Sequence, residues 1–284
     1  MDVAIPLPVY YHVPKNAGTY VTNMSLLYFR GFRRNYTDWN DRGYETIKNV
    51  EIIDEHNNTL ARLITGDPDN MCVSDVLMSN NDVDASHHRV MLSDLTSSCI
   101  HRLKLFILII EDHGFSMGEH ICNMVRNNRP YQEYVSIREP FSRTVSWYSY
   151  ITSEASSHEP LHQCVKTSLE NYIKSDIFES NWLMRKLIGV LDSDDFTYEH
   201  YEQAKSRLNN FNVYNVRDTD QMIDTMFGTC YSLTREDFPP GMPPPARNEN
   251  DLKGKIKFED LDPAIQQQYL DRTYWDRKLW EMYR

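Results

Sequence analysis

Short apolar runs recur along the chain, and several are followed by a polar turn and then a stretch of helical period. Leu7 to Val13 is dense in β-branched and aromatic residues and reads as a buried strand; Thr19 to Phe29 after it reads as a helix with Thr19 near its N-cap. Leu105 to Ile110 is a second buried strand, leading through a polar loop (Glu111 to Ser116) into a helix near Met117 to Val125. Tyr134 to Ile137 is a third strand. Pro140 suits the first turn of the helix after it, which runs to about Ile151. Helical patterns return at 160–174, 179–190 and 197–209; Phe211 to Val216 is a fourth strand and Asp218 to Phe227 a helix. Leu261 to Tyr283 forms a last long helical region.

Residues 31–100 break this rhythm. They hold turn clusters and two short strand candidates, Val50 to Ile53 and Ala61 to Ile64, and are expected to form a variable insertion covering the acceptor side of the core. Residues 237–257 form a Pro-rich and then basic loop. Alternation of strands and helices predicts an α/β fold: a single domain over 1–284 with a central, mainly parallel sheet flanked by helices. In such a fold the loops after the parallel strands share one edge of the sheet, the edge where ligands bind.

With 41 acidic against 30 basic residues in 284, the formal charge is −11, which argues against nucleic acid as a partner. No run approaches the ~18 apolar residues of a membrane span. No targeting segment precedes the first strand, so the expected location is cytoplasmic, with a removed anchor or upstream segment as the other option. Five cysteines at irregular spacing, with no C-x-x-C, read as mostly free thiols, with a Cys164–Cys230 bridge left open. No metal site is read.

Two segments carry chemistry. His12-Val13-Pro14-Lys15-Asn16-Ala17-Gly18-Thr19 lies at a strand-to-helix junction. There a helix start offers free N–H groups, Gly18 allows close approach, and Lys15 and Thr19 add a charge and a hydroxyl. It is not a Walker A loop. Arg138-Glu139-Pro140-Phe141-Ser142-Arg143-Thr144-Val145-Ser146 ends a strand and opens a helix, so Arg138, Arg143 and Ser146 can converge on a phosphate.

In this order, the two segments resemble the nucleotide signatures of sulfotransferases that use 3′-phosphoadenosine 5′-phosphosulfate (PAPS). The closer likeness is to the Golgi-type carbohydrate branch, which includes the heparan and chondroitin enzymes, and to its microbial relatives. Glu139 stands where that family usually has Asp, and Tyr20 where it often has Ser or Thr. Asn181 to Gly189 looks like a further family segment, with Met184 in place of Thr.

The resemblance implies a P-loop-like sulfotransferase fold and O-sulfation with PAPS as donor and no metal. It gives Lys15 to the reacting sulfuryl group. Asn16, Ala17, Gly18 and Thr19 would hold the 5′-phosphate, and Arg138 and Ser146, with Arg143, the 3′-phosphate. Arg185 and Lys253 are further nucleotide candidates. Relatives carry the base in G-H-F-x-x-G-x-H; here His113-Gly114-Phe115-Ser116-Met117-Gly118-Glu119-His120 has the first Gly and His transposed. His113 is taken as the base, with Glu111, Asp112, Glu119 and His120 as alternatives. The acceptor class is a glycan or glycoside hydroxyl, and the negative charge makes a neutral one at least as suitable as a polyanion. A non-catalytic nucleotide or glycan binder, and a P-loop-like kinase, are the competing readings.

Overall fold

A computed structural model of the chain describes residues 6–14, 16–36, 48–65, 87–95, 106–126, 128–152, 168–189, 195–238 and 256–284. The chain divides into two compact units, Met1–Ser136 with Asn210–Ala246, and Ile137–Asn209 with Arg247–Arg284.

The first unit is built on a sheet of strands β1 (Leu7–Tyr11), β2 (Lys48–Ile53), β3 (Thr59–Thr65), β4 (His87–Met91), β5 (Phe106–Ile110), β6 (Tyr131–Ile137, its last residue counted with the second unit) and β7 (Asn212–Asn215). Their order is β4-β2-β3-β5-β1-β6-β7. β1 pairs in parallel with both β5 and β6, and β2 with β4, while β3 runs antiparallel to β2 and β5. The fold class is therefore α/β with a mostly parallel sheet.

Among the described residues, three helices accompany this sheet: α1 (Gly18–Tyr36), α2 (Gly118–Val125) and α7 (Thr219–Tyr231). β1 and β5 are buried along their whole length, as strands covered on both faces must be. On one face, Tyr10, Ile107, Ile109 and Ile64 pack with Val21, Met24 and Tyr28 of α1 and with Met222, Met226 and Phe227 of α7. On the other, the Tyr11 ring meets Phe115 and Phe211 edge-on at 4.9 and 4.7 Å, and the start of α2 comes so close that a Cβ at Gly118 would lie 2.2 Å from the Tyr11 hydroxyl. The segments after β1 and β5 thus leave toward opposite faces, which makes the end of β1 a topological switch point.

Residues 48–65 and 87–91, inside the stretch expected as a cover, instead supply three strands that extend the sheet beyond β5. β4 gives no sequence signal of its own, because His87-His88-Arg89 interrupts any apolar alternation.

The second unit is helical: α3 (Pro140–Thr152), α4 (Leu169–Lys174), α5 (Trp182–Ile188), α6 (Tyr198–Leu208), α8 (Pro263–Arg272) and α9 (Tyr274–Glu281). Phe141, Val145, Tyr148, Tyr172, Phe178, Ile265 and Tyr269 form its core. The long C-terminal helix expected from the sequence is broken at Thr273. There, the Asn181 Oδ1 accepts hydrogen bonds from the backbone N–H groups of Trp275 and Asp276 at 2.9 and 3.2 Å. Of the helix expected over 160–174, the described part is α4. No helix among the described residues is long and apolar enough to cross a membrane.

Cys122 and Cys230 are free and buried, which removes the Cys164–Cys230 pairing; Cys72, Cys99 and Cys164 lie outside the described residues. Burial pushes both thiols up, that of Cys230 to about 12. Iodoacetamide at neutral pH is therefore expected to leave both unmodified in the folded protein and to modify both in denaturant, read by peptide mass spectrometry.

Candidate functional site

The turn from β1 into α1 is tied down from below. Asn16 is only 2% exposed. Its backbone N–H reaches the Val13 carbonyl at 3.0 Å, its Nδ2 donates to the Ser136 carbonyl at 2.9 Å, and its own carbonyl accepts from the Tyr10 hydroxyl at 3.0 Å and from Ser136 Oγ. These bonds hold the chain where Ala17 takes a left-handed φ of 68°, a cost that an anchored loop can bear. Gly18 then starts α1. A Cβ there would fall 1.9 Å from the His12 ring, so only glycine fits.

The Val21 backbone N–H bonds the Ala17 carbonyl at 3.0 Å, which opens the hydrogen-bond ladder of α1. Thr19 is exposed. The Tyr20 hydroxyl donates to Asp220 of α7 at 2.6 Å. Lys15 lies outside the described residues.

Where the core face of the sheet ends, it becomes charged. His12 and Glu111 continue the same-face series of Tyr10 and of Ile107 and Ile109, and Arg62 that of Ile64. His12 Nδ1 is 2.7 Å from Glu111 Oε2, and the other Glu111 oxygen accepts from Arg62 Nε at 2.9 Å. Arg62 reaches Glu51 at 3.3 Å, and Glu51 also pairs with Arg89 at 3.1 Å. Register explains the far end, since Glu51 is paired with Arg62 on one side and with Arg89 on the other.

Burial pushes the Glu111 carboxyl up, but the His12 hydrogen bond and charge, together with Arg62, outweigh it and hold the group below the usual carboxylate range. Such a carboxylate stabilises the fold above its unfolded pKa of about 4.3, and that contribution is lost as pH falls through the folded value. The melting temperature of the first unit is expected to drop on acidification below about pH 5, and the drop to be shallower in Glu111→Gln; thermal melts across pH check it.

The segment after β5 forms a 3₁₀ turn, Asp112–Met117, that runs into α2. His113, Glu119 and His120 are exposed on it, and Gly114 and Phe115 are buried. Gly114 lies against β3, where a Cβ would come within 2.0 Å of the Leu60 carbonyl oxygen. The turn thus accepts a histidine at 113 and has no room for one at 114.

In the second unit, Glu139 caps α3: its carboxylate accepts from the backbone N–H groups of Phe141 and Ser142 at 2.9 and 2.6 Å. The start of that helix is therefore already filled by an anion of its own chain. Arg138 Nε donates to Ser142 Oγ at 2.9 Å, and Ser146 lies one turn further on the same helix face, buried. Burial lowers the Arg138 pKa, with Arg143 adding to the effect and Glu139 opposing it.

Arg143 is committed locally, paired with Glu179 at 3.0 Å and stacked over Trp182 at 4.1 Å. Arg185 donates to the Ser180 carbonyl at 2.8 Å and lies over Phe196 at 5.1 Å. Lys253 lies outside the described residues, with the rest of 239–255.

No protein-family model matches the chain, and no curated protein is significantly similar to it. The reading of the site therefore rests on its residues and their geometry. Within the first unit, the structure joins the loop residues Asn16 to Gly18 to His12 and Glu111. The sequence offers Glu111 only as an alternative base and His12 only as part of the motif. A charged residue directly after the apolar run of β5 was the one available signal for their pairing. Ser142 sits inside the quoted Arg138 segment, and only geometry shows that Arg138 uses it.

Proposed function

We propose that the chain is a sulfotransferase, moving the sulfuryl group of 3′-phosphoadenosine 5′-phosphosulfate to a hydroxyl acceptor of carbohydrate class. The observation that carries this reading is the anchored turn between β1 and α1. It presents a helix start at a switch point of a parallel sheet, with Gly18 stripped of side chain by the His12 ring. The motif around it supplies Lys15 and Thr19 for an anionic group. The Arg138 to Ser146 segment resembles the 3′-phosphate signature, with Glu139 in place of Asp, and the half-buried Arg138 guanidinium favours an anionic partner.

In this reading the donor's 5′-phosphate takes the backbone N–H groups of Ala17 to Thr19 and the Thr19 hydroxyl, while Asn16, whose N–H and amide are bonded to Val13 and Ser136, anchors the loop instead of binding the phosphate. Lys15 offsets the charge that grows on the phosphate oxygen as the S–O bond to it breaks. The acceptor oxygen attacks sulfur in line from the far side, and its proton passes to His113, exposed on the turn after β5. Sulfuryl transfer resembles phosphoryl transfer in that positioning and charge stabilisation do most of the work.

Calorimetric titration with adenosine 3′,5′-bisphosphate tests the reading. Tight binding is expected for the wild type, weakened by about 1.5–3 kcal/mol in Lys15→Ala and in Arg138→Ala, the range of charged hydrogen bonds. Preference for ATP would favour a kinase, and binding without turnover on any hydroxyl acceptor would favour a non-catalytic binder. Absence of binding by folded wild type would sink the assignment.

A further inference from the structure

We propose that Ser142 is a positioning residue for the 3′-phosphate of the nucleotide: by holding Arg138 Nε with a neutral hydroxyl, it fixes the guanidinium for that anion without cancelling its charge. The inference rests on the sulfotransferase reading and deepens it at the 3′ end of the donor.

The first turn of α3 builds the arrangement. Arg138 follows β6 directly, and its side chain folds over the helix start, where Nε donates to Ser142 Oγ at 2.9 Å. Ser142 is itself held: its backbone N–H donates to one Glu139 oxygen at 2.6 Å, while the other accepts from Phe141 at 2.9 Å. Both Glu139 oxygens thus serve the helix start. The bond at Nε takes one of the five N–H donors of the guanidinium and sets its plane, and a phosphate is bound by such a group through two parallel N–H bonds in that plane. Ser146, buried and one turn beyond Ser142, lies on the same side of the helix.

Other arginines of this unit are held by a carboxylate or by backbone carbonyls. Arg143 pairs with Glu179 at 3.0 Å, Arg185 donates to the Ser180 carbonyl at 2.8 Å, and Arg272 donates to the carbonyls of Ile173 and Ser175 at 2.6 and 3.0 Å. Those contacts offset the cation and suit a structural role. A hydroxyl orients Arg138 and offsets little of its charge. Burial already disfavours that charge, and Arg143 adds to the effect more than Glu139 relieves it, so an arriving anion restores the balance. A carboxylate at 142 would hold Nε as well as the serine does, but it would repel the phosphate. Arg143, turned to Glu179 and stacked over Trp182, leaves Arg138 as the guanidinium of this subsite.

Calorimetric titrations with adenosine 3′,5′-bisphosphate and with adenosine 5′-monophosphate, which lacks the 3′ group, separate positioning from structure. Wild type is expected to prefer the bisphosphate. In Ser142→Ala that preference is expected to fall about tenfold, with affinity for the monophosphate unchanged. Ser142→Thr, which keeps the hydroxyl, is expected to retain most of it. Ser142→Asp is expected to abolish the preference, because its carboxylate pairs with Arg138 and repels the 3′-phosphate. Circular dichroism melts establish that each variant is folded. A preference unchanged in Ser142→Ala and Ser142→Asp, or an equal loss for both nucleotides, would overturn the role of Ser142 and leave the sulfotransferase reading standing. Folded wild type that binds the two nucleotides equally, or binds neither, would overturn the 3′-phosphate subsite, and with it both that reading and this role.

Discussion

Alanine at Gly114 is expected to destabilise the first unit by about 3 kcal/mol or more, and histidine there to prevent its folding. The clash is with backbone: a Cβ at 114 would sit 2.0 Å from the Leu60 carbonyl oxygen and 2.7 Å from its carbon. That carbonyl cannot swing away, because it accepts the Glu111 N–H at 2.9 Å, and the Gly114 N–H is itself bonded to the Glu111 carbonyl at 2.9 Å. Moving the turn outward would pull Glu111 off His12 and Arg62 and lift buried Phe115 from Tyr11. The result bears on the proposed function, since the sulfotransferases that the sequence resembles carry their base at the position matching 114. Gly114→His is thus expected to give unfolded protein, whereas His113→Ala, at an exposed position, is expected to keep the fold and lose turnover. Circular dichroism melts with a sulfation assay separate the cases, and a stably folded Gly114→His would refute the steric account.

Asp276→Ala is expected to cost the second unit about 2–6 kcal/mol, from two orphaned buried donors at about 1–3 kcal/mol each. Asp276 and Asn181 cap one another's helices. The Asp276 carboxylate accepts from the N–H groups of Leu183 and Met184 at the start of α5, at 3.0 and 2.8 Å. Asn181, just before α5, accepts from Trp275 and Asp276 at the start of α9. Both side chains are buried, with 6% and 5% exposure, so water cannot replace either cap. Burial pushes the Asp276 carboxyl up, against its two backbone donors and the charges of Arg143 and Arg185.

Asn181→Ala is expected to lose the reciprocal pair and in addition to strain a left-handed residue, φ 43°, by about 1–2 kcal/mol. Because each cap presupposes that the two helix starts are held together, the double variant is expected to cost less than the two single costs combined. Denaturant unfolding of the four proteins measures the coupling; strict additivity would show that the caps act independently.

The α/β alternation, the place of the β1–α1 turn, the capped start of α3 and the buried runs of β1 and β5 were legible along the chain. Each depends on neighbours within a turn or two: apolar period, a proline at a helix start, a glycine at a strand-to-helix turn. Partners far apart in sequence were not legible. His12 meets Glu111 across 99 positions, and the Glu51 to Arg89 end of the charged series depends on how β2, β3 and β4 are registered. The same register makes residues 48–65 part of the sheet, although their turns suggested a separate cover. Arg143, a phosphate candidate beside Arg138 by its place in the segment, is paired with Glu179 and stacked over Trp182 in the fold. Sequence by itself determined which segments could be strands and helices and which loop could cradle an anion, because those preferences are local. Which carboxylate orients His12, why histidine stands at 113 and glycine at 114, and which arginines serve their own unit were decided by tertiary structure alone, because cross-strand register and backbone contact at 2.0 Å exist only once the chain has folded.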